Sequence, residues 1–580
     1  MSDSERIPLM FQAQLPDRGK IQYAGNPEPA SRWVKQWLEG CPPVAETPKI
    51  SQALKTSQEN IPIWKRRAIA KPNVKVKLPQ FGAKVHSWEY TFTWRMVTNS
   101  GQDKGIVRPV IGAKGLPYYP GASMKGAFRR ACPSEVLRKR YCGDKEKPGC
   151  LRFHGGYPVD MSWGDRQRLI DVVHPQANRQ LGIDDKVTSA NVQISLYQTT
   201  FKFGISSQKN LPESEWKEIQ AIWETALSKG IGSRVSAGYG YVKKLENGKE
   251  IELQGSKNVL FSVNLRGQGL ASLLLTKKGE EKIPEFRPNM FKAALRGHTL
   301  RLFTGLTDER TAQRLTKEIW GGFVGKNAIV GKLGINFHAE DLRLDEYRYN
   351  RNIMPTYTLE SGRLDIICCG IISEDERKQL TSFAKSLIQF SLLLGGFGKS
   401  WRRIDHRKFY HQYIANNNKP MIGCHWEFAR GSENLYVTAA KSDLQNISRF
   451  LKHIHKTVLK WLEYNRVKPE FYIINNWREV WHPNKVQVWG KIVKDSEAVH
   501  YFHGKYSTNK SIKETNLTGK IGKIGRIWHR MYPRYVIDKS RQLKRLPQYV
   551  ELLTIFPDDS RTTKEFIDFL THNSGFIKLL

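Results

Sequence analysis

Residues 118–130 read YYPGASMKGAFRR, and the order of those residue types suits the binding of an anion. Pro120-Gly121 makes a turn and Ser123 is a candidate N-cap. Lys125 and Arg129 fall one helical turn apart, with Arg130 beside them. Unpaired backbone N–H groups at a helix start, flanked by cations, favour phosphate. Gly126 and Ala127 leave room for a close backbone approach. An ordinary capped helix packing its small residues on a sheet is the alternative. Two glycine-rich stretches, SKGIGSRVSAGYG (228–240) and LGGFGKSWRRIDH (394–406), add to the pattern. Both follow a helical segment and lack GxGxxG spacing, which argues against a dinucleotide fingerprint. Gly230 and Gly232 with Arg234, and Gly396 and Gly398 with Lys399, Arg402 and Arg403, suit the tracking of an irregular phosphate chain. A tight structural turn would use the same glycines.

Cys132, Cys142, Cys150 and His154 lie within 23 residues and are zinc ligands by type. Their C-x9-C-x7-C-x3-H spacing matches no standard finger, and buried free thiols are the competing reading.

These residues sit in a chain of 580 residues with 93 Lys+Arg against 55 Asp+Glu, a net charge of +38. A field of that sign attracts polyanions, nucleic acid first among them. The start lacks the basic and apolar regions of a signal peptide, and no apolar run approaches the ~20 residues of a spanning helix. Seven irregularly spaced cysteines do not form a disulfide framework, so a reducing cytoplasm is expected and no membrane partner.

The helix-start motif recurs. PEFRPNMFKAALR (284–296) repeats PYYPGASMKGAFR (117–129) at an offset of 167, placing Lys292 and Arg296 where Lys125 and Arg129 stand. Gly155-Gly156 and Gly321-Gly322, Gly204 and Gly370, and the glycine-rich pairs all recur at 166. A shared offset predicts two copies of one module, at 86–250 and 257–410. In each, the reading is strand, helix, a variable middle, strand, helix, glycine-rich loop, strand. The first strand is the alternating HSWEYTFTWRMV (86–97). A doubled βαβ order predicts an α+β ferredoxin-like (RRM-like) sandwich. Residues 1–85 read as a basic, Pro-rich arm. Residues 411–580 have no twin and read as a basic, aromatic-rich extension of the second module or a further small domain. Its tryptophans and cations suit either RNA stacking or a core under solvated lysines.

The pairing of PYYPGASMKGAFR with GIGSRVSAGYG resembles the two signatures of the RAMP superfamily of CRISPR-associated RNA-binding proteins, and 284–296 with 395–406 resembles them more loosely. Two fused modules look most like the Cas-seven-type backbone subunits of type III effectors, in particular the double-module fusions of the III-D variant. The resemblance implies guide RNA, target RNA, other RAMP subunits and the large polymerase-like subunit as partners. It also implies cleavage of target RNA by an Asp in the loop after the first strand, with a divalent metal such as Mg2+. In this chain the acid of that loop is Asp103, about four residues before the aligned position, and the second copy has Glu280 and Glu281 but no Asp. DVVHPQ (171–176) resembles a segment of non-slicing RAMP subunits, and there His174 could act on a 2′-hydroxyl. A guide-precursor endonuclease and a non-enzymatic maturation factor are the rival functions.

Overall fold

The computed structural model describes most of residues 78–580, together with Val34, Trp37 and Leu38; His174, Glu280, Glu281 and residues 61–77 of the basic arm lie outside the described residues. The first unit runs β1 (His86–Phe92), α1 (Gly121–Ala131), α2 (Glu135–Cys142), β2 (Leu151–Pro158), β3 (Thr200–Ser207), α3 (Glu213–Ser228), β4 (Val242–Glu246) and β5 (Lys249–Ile251). Its antiparallel sheet has the order β5-β4-β1-β3-β2. Alternation decides which face is covered. Tyr90 and Phe92 of β1 lie on the same side as Phe201, Phe203 and Ile205 of β3, all buried. Over them lie Met124, Ala127, Phe128 and Ala131 of α1, at helical spacing, and the Trp216–Trp223 face of α3. Part of the arm joins this core: Trp37 stacks on Trp163 at 5.1 Å and donates to the Gly115 carbonyl at 2.9 Å.

The second sheet is built from β6 (Val259–Leu270), β7 (Leu333–Tyr349), β8 (Asn352–Cys368) and β9 (His425–Phe428), in the order β7-β8-β6-β9. Helices α4 (Asn289–Thr304) and α5 (Glu309–Trp320) precede β7, and α6 (Glu374–Leu394) follows β8. Counting strands within each unit, the four main strands of both sheets lie in the order 4-1-3-2, that of a ferredoxin-like sheet. The chain is thus a mixed α/β fold on antiparallel sheets, as its βαβ patterning predicts.

Two of the four repeat landmarks fall on unlike positions. Gly155-Gly156 lies inside β2, whereas Gly321-Gly322 comes before β7, at a small hairpin (322–329) where the first unit has a single bridge between Gly143 and Pro148. Gly204 lies inside β3, whereas Gly370 follows β8. The helix starts and the glycine-rich loops do correspond, because both are local backbone devices fixed to a helix end.

Residues 411–580 hold a third sheet rather than a simple extension. After α7 (Gln445–Tyr464) come β10 (Gln487–Val493), α8 (Ala498–His503), β11 (Ile527–Ile537), β12 (Leu543–Ile555), α9 (Arg561–His572) and β13 (Ile577–Lys578). The order β11-β12-β10-β13 is again 4-1-3-2. Ten consecutive residues of β11 are buried because this sheet is covered on both faces. Trp528, Tyr532, Val488 and Leu552 face α6 and α7, while Leu553, Ile555 and Phe566 form the core under α8 and α9. The C-terminal half of α6, SLIQFSLLL, is apolar all round because it packs between two sheets.

Two buried charge clusters tie the units together. Arg95 of the first unit and Glu285 of the second are fully buried and paired, Nε to Oε1 at 2.8 Å and Nη2 to Oε2 at 2.5 Å. Asp171, also fully buried, pairs with Arg287 and accepts from Gln193 at 2.5 Å and from the Tyr239 hydroxyl at 2.9 Å. Burial opposes charge on Asp171, but Arg287 and Arg95 hold its carboxyl below the usual range. Replacing one partner of such a pair strands a buried charge, whereas replacing both removes the problem. Glu285→Ala should therefore cost about 3–5 kcal/mol in urea denaturation, and Arg95→Met/Glu285→Leu distinctly less. Equal losses would show that the pair itself, not the stranded charge, sets the stability.

Candidate nucleic-acid interface

α1 begins at Gly121 because the chain must pass against β2 there. A Cβ on Gly121 would lie 2.2 Å from the Phe153 carbonyl oxygen. Pro120 takes the N-cap place in extended conformation with no side-chain cap, so Ser123, expected as the cap, is an exposed residue inside the first turn. Lys125, Arg129 and Arg130 are exposed, and none has an ion pair among the described residues. At Gly126 an added Cβ would meet only Arg130, at 3.7 Å, so packing within the chain does not require glycine.

The loop after α3 comes up beside this helix. At Gly232 the backbone has φ +86, and a Cβ would sit 2.5 Å from the Val97 carbonyl oxygen. Next to it the Ser233 N–H donates to Val97 O at 2.8 Å. Arg234 is exposed in a left-handed conformation, φ 61, that only a minority of non-glycine residues adopt. Burial and then the nearby Arg130 push the half-buried Lys229 ammonium down from its ordinary value. The Tyr119 hydroxyl, pushed up to about 12 by burial, feels both Arg130 and the Gly232 backbone. Arg130 and Lys229 thus lie close together, Arg234 is exposed on the same loop as Lys229, and none of the three has a carboxylate partner among the described residues. Cations held together without an acid are an electrostatic cost that an anion relieves.

The second copy spends the same residue types internally. Lys292 of α4 is buried and donates to the Ser236 hydroxyl at 2.6 Å. Burial brings it down to about 8, with Arg296 and Arg234 adding to the effect. Arg296 is lowered to about 10 by burial. Lys399 donates to the Ala271 carbonyl at 2.9 Å, and Arg402 makes two 2.8 Å bonds to the buried Glu479. Arg403 donates to the carbonyls of Thr518, at 2.8 Å, and Ile527. Gly396 and Gly398 pack beside Trp426 and Met290. Lys292, Arg402 and Arg403 are thus spent on joints between units and Lys399 on packing within the second, uses that charge and spacing in a sequence do not distinguish from ligand contacts.

The zinc quartet does not assemble: among the described residues no three His, Cys, Asp or Glu side chains gather as a metal site. The Cys142 thiol, near Cys132, is pushed up to about 12 by burial, and His154 turns to the Ser206 hydroxyl at 2.8 Å. Cys132 and Cys150 are likewise raised by burial. Protonated, buried thiols are poor metal ligands. Asp103 ends a short strand (Gly101–Asp103), opposite Ile106. The Asp103 side chain lies outside the described residues, and no cleavage step is derived through Mg2+. Of the two readings of the C-terminal aromatic residues, the core holds for Trp477, Trp481, Trp489, Trp528, Tyr532 and Tyr535, which are all buried.

With this geometry in place, the comparisons narrow the class. The fold is a mixed α/β arrangement on antiparallel sheets with exposed cations on α1 and the loop after α3, and residues 100–243 match the model of the RAMP superfamily. That stretch covers both the helix motif and the first glycine-rich loop. Among solved structures, the chain is similar to one of the Type III-B Cmr-beta complex bound to cognate target RNA. Identity is 22% and TM-score 0.24, over 29% of this chain and 61% of that one. Cmr6 from Pyrococcus furiosus is similar at 14% identity and TM-score 0.19, over 28% of this chain and 98% of that one. No curated protein matches the chain.

The Lys399 environment gives a pH test. Burial, helped by Arg287, brings its ammonium from 10.5 down to about 7. Above that value the unfolded chain holds a proton the folded one has released, so this group makes stability rise with pH between about 7 and 10.5. Thermal melts at pH 7 to 9 should show Lys399→Met with a smaller gain across the range than wild type. An identical gain would place Lys399 in water.

Proposed function

We propose that the chain is an RNA-holding subunit of a type III CRISPR ribonucleoprotein, built of tandem RAMP-type units and binding the guide strand through its phosphates. The observation that carries this reading is the set of cations Arg130, in the last turn of α1, and Lys229 and Arg234, on the glycine-rich loop that holds Gly232. It offers cations beside a glycine-rich backbone, which suits the tracking of a phosphate chain. The RAMP match over residues 100–243 supports RNA as the owner of those phosphates. Target RNA reaches the protein by pairing with the held guide. The second unit does not duplicate the surface, since Lys292, Arg402 and Arg403 are committed to joints and Lys399 to a contact within the unit. One chain therefore contributes one principal phosphate track, not two.

The test is binding of a short single-stranded RNA to the full chain over a range of salt. Each phosphate contact contributes about 0.7 to the slope of log affinity against log salt for single strands. Arg130→Ala/Lys229→Ala/Arg234→Ala should lower the slope by roughly 2, while Lys399→Met should leave it unchanged. A triple variant with wild-type slope would place the RNA elsewhere.

A further inference from the structure

The joints between units follow one rule. The Ile335 N–H, from the third residue of β7, donates to the Ser236 carbonyl in the first glycine-rich loop at 3.2 Å. The His529 N–H, from the third residue of β11, donates to the Arg402 carbonyl in the second glycine-rich loop at 2.9 Å. Ser236 and Arg402 are 166 residues apart, the offset of the loops themselves. In each case the loop of one unit lies along the outer edge of the next unit's second strand. At the first joint the helix start forms the other wall: Lys292 bonds Ser236, and Pro288 lies against Gly238.

The corresponding place in the first unit has no loop in it. Phe153 is the third residue of β2, an edge strand whose outer side is bridged at Gly156 by Tyr119; among the described residues no strand or bridge pairs with Phe153 itself on that side. Instead a cleft of about 380 Å3 opens there, lined by Gly121, Ala122, Lys125, Arg152, Phe153 and His154. Its walls are the second-strand edge and the helix start, the two that enclose the loop in the second unit. Gly121 and Lys125 stand where Pro288 and Lys292 stand there.

We infer that this cleft is a socket for the glycine-rich loop of a different, preceding RAMP-type subunit. A second copy of this chain cannot fill it, because both of its glycine-rich loops are already docked internally. The third unit has no loop to offer: four residues (573–576) join α9 to β13, against thirteen (229–241) after α3. The chain therefore accepts a neighbour at its first unit and presents no equivalent loop from its third. The lining holds Lys125, Arg152 and His154 and no carboxylate. The incoming loop thus carries a small polar or acidic residue at the position of Ser236, not an arginine as at 402. The inference rests on the ribonucleoprotein reading, but concerns a different surface from the RNA track.

A photo-crosslinking residue placed at the exposed Ala122, in the full chain within its assembled complex, tests it. The expected product joins Ala122 to the glycine-rich loop of another subunit. A crosslink to RNA, to a second copy, or to any other part of a partner overturns the socket, as does no crosslink at all. Ala122→Trp, which fills the cleft from a solvent-facing helix position, should lower retention of that subunit at least about tenfold. RNA affinity of the isolated chain should be unchanged. Unchanged retention, or a matching fall in RNA affinity, overturns the inference. If the isolated wild-type chain failed to bind RNA while the crosslink formed, the RNA reading would fall and the socket would stand.

Discussion

The structure depends on a loop that leaves one unit and completes the edge of the next. An edge strand presents unpaired N–H and C=O groups, and a ferredoxin-like sheet has two such edges. Here the backbone of 236 and of 402 covers one edge of the second and third sheets, and buried ion pairs hold each loop in register. Glu285, Arg287 and Asp171 fix the first joint, and Glu479 with Arg301 and Arg402 the second. The cost of burying these charges is met because each carboxylate takes more than one donor. Three sheets are thereby locked in sequence, and the one surface with the same walls and no loop is that of the first unit.

This joint also explains why the second copy of the helix motif is degenerate. Where the first copy has Tyr118 and Pro120 near solvent, the second has Glu285 and Arg287, both inside the interface. Lys292 keeps the place of Lys125 but bonds Ser236 instead of standing free. One helix start is thus exposed, with Lys125 in solvent, and the other is a structural seat.

What could be read from the sequence was whatever is local. The helix starts, the glycine-rich loops and the alternation in β1 each follow from neighbouring residues, and the structure places them as expected. The spacing of Gly155-Gly156 and Gly321-Gly322 misled because α5 and the 322–329 hairpin displace the second strand of the second unit. The third sheet escaped notice because its first helix has six residues and it lacks the glycine-rich loop, the two features that marked the other copies. Arg402 and Glu479 are 77 residues apart, and no pattern in either segment announces that they meet. The run SLIQFSLLL in α6 was the available signal that something packs on both its sides.

The central claim is that the loops pair with the strand edges of the following units. Residue-resolved hydrogen exchange of the intact chain addresses it directly. The account predicts that the Ile335 and His529 amides exchange as slowly as interior strand amides, although both lie on outer edges, and that Glu285→Ala speeds Ile335 well before it affects His529. Fast exchange at Ile335 and His529 in the native protein would contradict it.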